Sequence, residues 1–289
     1  MLRLLKNIGP LLLALLAQLS GNAQGKSLLW KVSGQGLSTP SYLYGTMHLV
    51  CKTDLSFPPP VTNALHNAQT MCMEIDLMAD GKEKMKSLIF NEADDYSLKQ
   101  LFNASDYSMV DRFFRDSLNY DISMLDKAKP FMLTTLLLMK QVPCSSQEIA
   151  APDRELATMA TNQKIPIATF ETVESQIALF DSIPDKIEAE MIVRLVKDIQ
   201  HHDQEARTLA DAWKKQDLDK LYQLVIQSPD LKNYQDLMLF RRNAAWVPQI
   251  RQLMVKGPIF VAVGAAHLAG NKGLIALLRK EGYTVEPAL

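Results

Sequence analysis

The sequence predicts an α/β fold: an internally duplicated sheet core with a large helical insertion. Two Gly-x-x-His turns carry most of that prediction, Gly45-Thr46-Met47-His48 and Gly264-Ala265-Ala266-His267. Each closes an apolar run of strand character, Tyr42-Leu43-Tyr44 and Ile259-Phe260-Val261-Ala262-Val263. Each is followed by a helix signal and then a further strand, whereas the stretch between them is dominated by helical periodicity. A glycine at a strand end lets the backbone leave in a conformation that a Cβ would penalise. Strand ends are also where open α/β sheets place their chemistry.

The first 23 residues stand apart. Arg3 and Lys6 form a basic head, 11–19 is an apolar core, and Gly21 and Ala23 are small residues before a cleavage point after Ala23. That is the pattern of a secretory signal peptide. The apolar core is shorter than the about 20 residues a membrane helix needs. No Cys follows the cleavage point, and no later stretch is long enough to span. The expectation is an exported protein, periplasmic or secreted, with no stable membrane span.

Without Arg3 and Lys6 the formal charge moves from −1 to −3. That balance argues against nucleic acid as a partner. Residues 24–289 are expected to form a single domain, with sheet-forming halves at about 24–80 and 163–289. The helical insertion covers about 81–162, with further helices within 173–255. Cys51, Cys72 and Cys144 permit one disulfide in three pairings, or none. Their spacing matches neither a zinc knuckle nor a redox CxxC.

Strands are expected at 27–32 and 42–44, joined across a turn at 34–40. Pro58-Pro59-Pro60 opens a helix reaching about Ala68, and 71–77 (MCMEIDL) reads as a buried strand. Helix signals then cover 82–91, 97–101, 108–118, 122–125, 130–141, 153–162, 173–180, 185–202, 204–215, 217–226 and 231–255. One strand interrupts them at 165–170. The closing unit is strand 259–263, the second Gly-x-x-His, a helix at 272–280 capped by Gly282, and strand 283–286.

His48 and His267 are the leading candidates for chemistry, because imidazole serves both as a ligand for Zn, Mn, Co or Fe and as an acid or base. Glu74 lies in an otherwise apolar segment, where a carboxylate is costly unless paired or metal-bound. Strand alternation places Cys72, Glu74 and Asp76 on one face. Glu171 closes strand 165–170, as a third carboxylate of the site or as a neighbour of the next helix cap. Asp153 reads as a helix cap, with membership of the site the lesser alternative. Arg242 and Asn243 precede the second Gly-x-x-His; an Arg there could clamp a substrate carboxylate or orient an acid, or stay solvated. His201-His202 lacks the HExxH spacing and reads as a solvated helix end, and His66 as structural. No GxSxG elbow, P-loop or GxGxxG is present.

YLYGTMH, MCMEIDL, IPIATFETVESQIALFDSIP, FRRNAAWVPQI and IFVAVGAAHLAGNKGLIALLRKEGYTVEP together resemble the TraB/GumN family, related to the Tiki proteases. The resemblance implies an α/β fold with an internal repeat. It also implies a metal-dependent hydrolase site built from His48, Glu74 and His267, with Mn²⁺ or Co²⁺ favoured and Zn or Fe possible. Glu171, Arg242 and Asn243 fall on recurrent family positions. One departure is the TFET segment, where Thr169 stands for an expected Gly.

The expected function is therefore that of an exported metal-dependent hydrolase, a peptidase acting on a peptide or protein. His48, Glu74, His267 and Glu171 would hold the ion, with Gly45, Gly264, Arg242, Asn243 and Asp76 in support. A metal-free His/Glu hydrolase resembling esterases is the first alternative, and a non-catalytic peptide- or signal-binding protein the second.

Overall fold

The computed structural model describes residues 26–76, 89–229 and 231–289. The expected signal peptide and most of the helix expected at 82–91 lie outside them. β1 (Leu29–Ser33) and β2 (Ser41–Thr46) form the expected antiparallel hairpin. Its turn relies on Gly34 and Gly36 at φ 90° and 79°, a region glycine enters at no steric cost. A two-residue strand β3 (Val50–Cys51) lies just beyond the first Gly-x-x-His. Pro59 and Pro60 then start α1 (Pro59–His66), where a missing N–H costs nothing. β4 is Thr70–Met73, ending well before the carboxyl end of the expected 71–77. Glu74 therefore sits just past the strand, and its alternation with Asp76 ends there.

The middle of the chain is helical: α2 (Ala104–Leu118), α3 (Pro130–Gln141), then a two-residue β5 (Ile149–Ala150) and α4 (Pro152–Asn162). β6 (Ile167–Thr169) is shorter than 165–170. Next come α5 (Val173–Phe180), α6 (Asp185–Lys197), α7 (Ile199–Lys214) and α8 (Leu218–Gln227). The helix expected over 185–202 breaks at Asp198, which ends α6 and precedes α7. The helix expected over 231–255 is a π-helical turn, Asp236–Phe240, running into α9 (Arg241–Lys256). β7 (Ile259–Gly264), α10 (Leu274–Lys280) and β8 (Thr284–Pro287) close the chain as expected. No helix among the described residues is long and apolar enough to cross a membrane.

The main sheet has the order β6-β4-β7-β2-β1-β8. β6, β4, β7 and β2 are mutually parallel, and β1 runs antiparallel to both β2 and β8. The first unit crosses from β2 through α1 to β4, passing over β7. The last crosses from β7 through α10 to β8, passing over β2 and β1. Both crossovers join parallel strands, and they run in opposite directions along the sheet. The shared plan of strand, Gly-x-x-His, helix and parallel strand is thus real in three dimensions. β2 and β7 lie side by side, with Thr46 level with Gly264.

The sheet core buries Trp30, Tyr44, Phe260 and Trp246 almost completely. Each such side chain contributes roughly 1.5–3 kcal/mol. A second apolar cluster, around Leu98, Phe114, Leu133, Leu137 and Ile192, holds the helical insertion. It takes up Leu133 and Leu137 of the strongly apolar α3, whereas Leu138 and Met139 of that helix are exposed.

Candidate functional site

The carboxyl ends of four parallel strands deliver the candidate residues to one place. β2 runs into His48, β4 into Glu74, β6 into Glu171 and β7 into His267. The β6–β4 ladder continues past the strands, with the Glu171 N–H donating to the Glu74 carbonyl at 2.9 Å. Neither motif glycine has a positive φ. Their role is close approach instead. A Cβ on Gly45 would lie 3.1 Å from Ala265 Cα and Cβ, so the glycine lets the two Gly-x-x-His turns pack together. A Cβ on Gly264 would point into the site, 3.4 Å from Glu74 Oε1, 3.6 Å from His267 Cδ2 and 3.8 Å from His48 Cε1. The two histidines and the glutamate therefore converge on one point. Trp213 of α7 donates to the Gly45 carbonyl at 3.1 Å and pins the first turn from behind.

His267 is buried in a short 3₁₀ turn, Ala265–His267. Asn243 donates through Nδ2 to the Lys272 carbonyl at 2.9 Å, which turns its Oδ1 toward His267 Nδ1 at 2.7 Å. Nδ1 therefore carries the proton, and Nε2 presents its lone pair. Burial lowers the pKa of this ring to about 4, so it is neutral at neutral pH. The ring stacks against Trp246 at 4.5 Å between centroids, and Trp246 stacks in turn on Phe170.

Arg242 occupies the centre. Its Nε donates to Glu171 Oε1 at 2.9 Å, and its Nη2 to Glu171 Oε2 at 3.0 Å and Glu74 Oε2 at 2.5 Å. Its Nη1 donates to the Met238 carbonyl at 2.9 Å and faces His267 Nε2 at 3.2 Å. All five N–H groups of the guanidinium are thus engaged. Glu74 also accepts the Gly264 N–H on Oε1 at 2.9 Å and Gln176 Nε2 on Oε2 at 3.1 Å. Burial opposes ionisation of Glu74, but the surrounding positive charge and donors bring its pKa down to about 2. A neutral His267 lends it no charge, so Arg242, then His48 and the Gly264 amide, carry that effect at neutral pH. The surface-solvated alternative for Arg242 is overturned by its burial against two carboxylates.

His48 differs from His267. Its side chain is 76% exposed, at the rim. Nδ1 lies 3.3 Å from Asp153 Oδ2, while Asp153 Oδ1 accepts the Thr46 hydroxyl at 2.5 Å. The Asp153 hydrogen bond is the main cause raising the His48 pKa to about 9. Solvent at so open a ring screens the pair and holds the rise below that figure. Asp153 is not a helix cap: Ala151 holds that position in α4, and the Asp153 carboxylate turns to β2 and His48. The short β3–β5 ladder and the Cys51–Cys144 disulfide tie the two segments together, leaving Cys72 as a buried thiol.

The remaining candidates fall outside. Asp76 is exposed two residues beyond Glu74. His201 and His202 both pair with Glu205 on α7, and His66 meets Gln163 on the surface. Gln176, Trp246, Asp153 and Thr46 belong to the cluster, and sequence reasoning does not single them out for it. Trp246 has a usable signal: four residues after Arg242, it shares that residue's helix face. It donates to Glu171 Oε1 at 2.9 Å and lies under the guanidinium at 4.8 Å.

The divalent ion implied by the family resemblance finds suitable donor types here, two imidazoles and two carboxylates. Their placement does not fit it. Glu171 spends both oxygens on Arg242, Glu74 shares one with Arg242, and the His267 lone pair faces Arg242 Nη1. Among the described residues, no group of three or more His, Cys, Asp or Glu is arranged to hold a metal ion.

Comparison with known proteins agrees with the arrangement of motifs. The model of the TraB/PrgY/gumN family matches residues 28–287. The chain belongs to the TraB/PrgY/gumN family. Like the motifs, that match runs from β1 to β8 and takes in every residue of the cluster. The chain is also 30% identical over 129 residues to the uncharacterized protein YbaP of Escherichia coli (strain K12), and equally to YbaP of Shigella flexneri. Each of these matches spans 44% of this chain and 47% of the relative, so the chain covers about half the length of the curated relatives it matches. No solved structure matches.

Proposed function

We propose that this TraB/PrgY/gumN-family chain is an exported hydrolase that cleaves an acyl bond, amide or ester, in a peptide substrate. The observation that carries the reading is the convergence of His48, Glu74 and His267 on Gly264, at the carboxyl ends of adjacent parallel strands. Open α/β sheets bind ligands at this edge. With Nδ1 held by Asp153, the His48 ring is oriented and favoured in its protonated form, so its Nε2–H can give a proton to a leaving group and, once deprotonated, take one from an attacking water. Its exposure leaves it within reach of substrate. Glu74, Arg242 and His267 form a fixed, internally neutralised floor beneath it. Glu74 is a poor base, because both oxygens already accept hydrogen bonds. The Cys51–Cys144 bridge supports an exported setting, since disulfides persist in oxidising compartments.

A metal-dependent version of the same reaction is favoured by the donor types and requires Arg242 to withdraw. One assay separates the readings. Purified wild type and His48→Ala are incubated with a mixed peptide and ester library, in chelator and in Mn²⁺ or Co²⁺. Turnover in chelator that His48→Ala abolishes supports the oriented histidine acting alone. Turnover only with added ion supports the metal reading. Binding of peptide without turnover in every arm sinks the hydrolase and leaves the binding protein.

A further inference from the structure

We infer that Arg242 is the resident cation of this site, filling the position that a divalent ion bound by Glu74, Glu171 and His267 would take. The inference goes beyond the hydrolase reading and does not depend on it. Three observations carry it. The guanidinium reaches all three groups at once, at 2.5 Å from Glu74, 2.9 and 3.0 Å from Glu171 and 3.2 Å from His267 Nε2. His267 is fixed by Asn243 in the tautomer whose free nitrogen suits a cation, yet an arginine N–H answers that nitrogen. The arginine itself is also anchored by groups other than these three, the Met238 carbonyl and the face of Trp246.

Met238 lies in the π-helical turn Asp236–Phe240 that leads into α9. Such turns interrupt regular helix pairing and are frequent at functional sites. Here the wider turn brings the Met238 carbonyl onto Nη1 and holds the arginine over the carboxylates. A planar fork with five donors matches two carboxylates and one imidazole better than an ammonium can. The guanidinium then offsets one of the two carboxylate charges without any ion. Glu74, Glu171 and His267 are held ready for positive charge, and the chain supplies that charge itself.

The consequence is a ligand set that opens only when the arginine is removed. An incoming divalent ion must break a buried ion pair first, which weakens its apparent affinity for wild type by roughly 100- to 1000-fold relative to a chain lacking the guanidinium.

The test titrates Co²⁺ into the metal-stripped full chain, following visible absorption and the cobalt retained after gel filtration. Wild type should retain almost none. Arg242→Met, close in length but uncharged, should retain near-stoichiometric Co²⁺ with a visible band, and lose both when combined with His267→Ala. Arg242→Lys, which keeps the charge, should stay nearly metal-free. Near-stoichiometric, His267-dependent Co²⁺ in wild type would overturn the inference. So would an Arg242→Lys chain that binds as well as Arg242→Met, because the excluding feature would then not be the cation. A folded Arg242→Met, as judged by near-UV circular dichroism, that retains no Co²⁺ would also overturn it, and Arg242→Gln serves in its place if Arg242→Met does not fold. The readout is bound metal, so inactivity of the chain as a hydrolase leaves the inference standing.

Discussion

Cutting the Cys51–Cys144 disulfide should destabilise the chain strongly and loosen one wall of the site. The bond joins residues 93 apart in sequence. Closing a loop of that length removes denatured-state entropy worth about 4.6 kcal/mol at 25 °C in the chain-entropy account. For a chain of this size each kcal/mol moves Tm by about 2–4 °C, so the loss should be roughly 9–18 °C. The native contacts around the bond are few: the two-residue ladder of Val50 with Ala150 and Cys51 with Ile149, and Lys52 on the Gln147 carbonyl at 2.6 Å. Beyond these, the Thr46 and His48 contacts to Asp153 join the His48 segment to the start of α4. The assay compares thermal melts of wild type with the double variant Cys51→Ser/Cys144→Ser, and with wild type in a dithiol reductant. Hydrogen exchange is read on peptides covering 46–52 and 147–155. Cys72 does not confuse the result, because it is buried and its thiol is pushed up to about 12. A change in Tm of only a degree or two, with the bond cut by mass spectrometry and exchange unaltered on both peptides, would refute the reasoning.

Three further outcomes rest on named contacts. Gly45→Ala forces a Cβ to 3.1 Å from Ala265 and should cost about 1–3 kcal/mol in urea unfolding, whereas Gly264→Ala, facing open contacts of 3.4 Å or more, should melt near wild type; equal losses would contradict the distinction. Burial pushes the Glu188 carboxyl on α6 up to about 8, so its folded pKa exceeds the ordinary 4.5. The folded state then holds the proton more tightly, and its stability should be full below pH 4.5 and fall as pH rises toward 8. Glu188→Gln should flatten that fall in Tm-against-pH curves; parallel curves for the two proteins would count against it. Asp153→Asn removes the carboxylate that raises the His48 pKa, and an NMR titration of the ring should move down toward the ordinary 6.5. An unmoved His48 would mean that the contact is not what sets it.

Much of this fold and site is legible in the sequence, for physical reasons that can be named. The two Gly-x-x-His units lie within a few residues of a strand end, so local pattern locates them and the parallel pairing of β2 with β7 brings them together. Glu74 stands out because a carboxylate inside an apolar run needs a partner. The identity of that partner is not local. Arg242 is 168 residues away, and only the fold shows that it serves Glu74, Glu171 and His267 at once. Asp153 escapes a sequence reading for the opposite reason. Its place in the first turn of a helix is where an acidic side chain stabilises the dipole anyway, so the local explanation suffices and hides the contact with Thr46 and His48. The strand end at 165–170 is overrun because Phe170, apolar and buried, continues past the last ladder residue. The disulfide pairing, open among three cysteines in the sequence, is decided by the β3–β5 ladder, which is too short for any periodicity to announce.

The two Gly-x-x-His units share a plan but not a role, and the difference arises from the path the backbone takes beyond each glycine. After Gly264 the chain tightens into a 3₁₀ turn that carries His267 inward, under Trp246 and onto Asn243, where burial keeps it neutral. After Gly45 the chain bends at His48 and enters β3 without a helical turn, and His48 emerges at the rim beside a carboxylate that favours its protonated form. Duplication of one local device thus yields a buried, proton-poor imidazole and an exposed, proton-rich one around a single glycine. That division suits a fixed acceptor below and a mobile proton above. It also explains why one glycine of the pair serves packing, by admitting Ala265, whereas the other serves space, by leaving room where the three side chains meet.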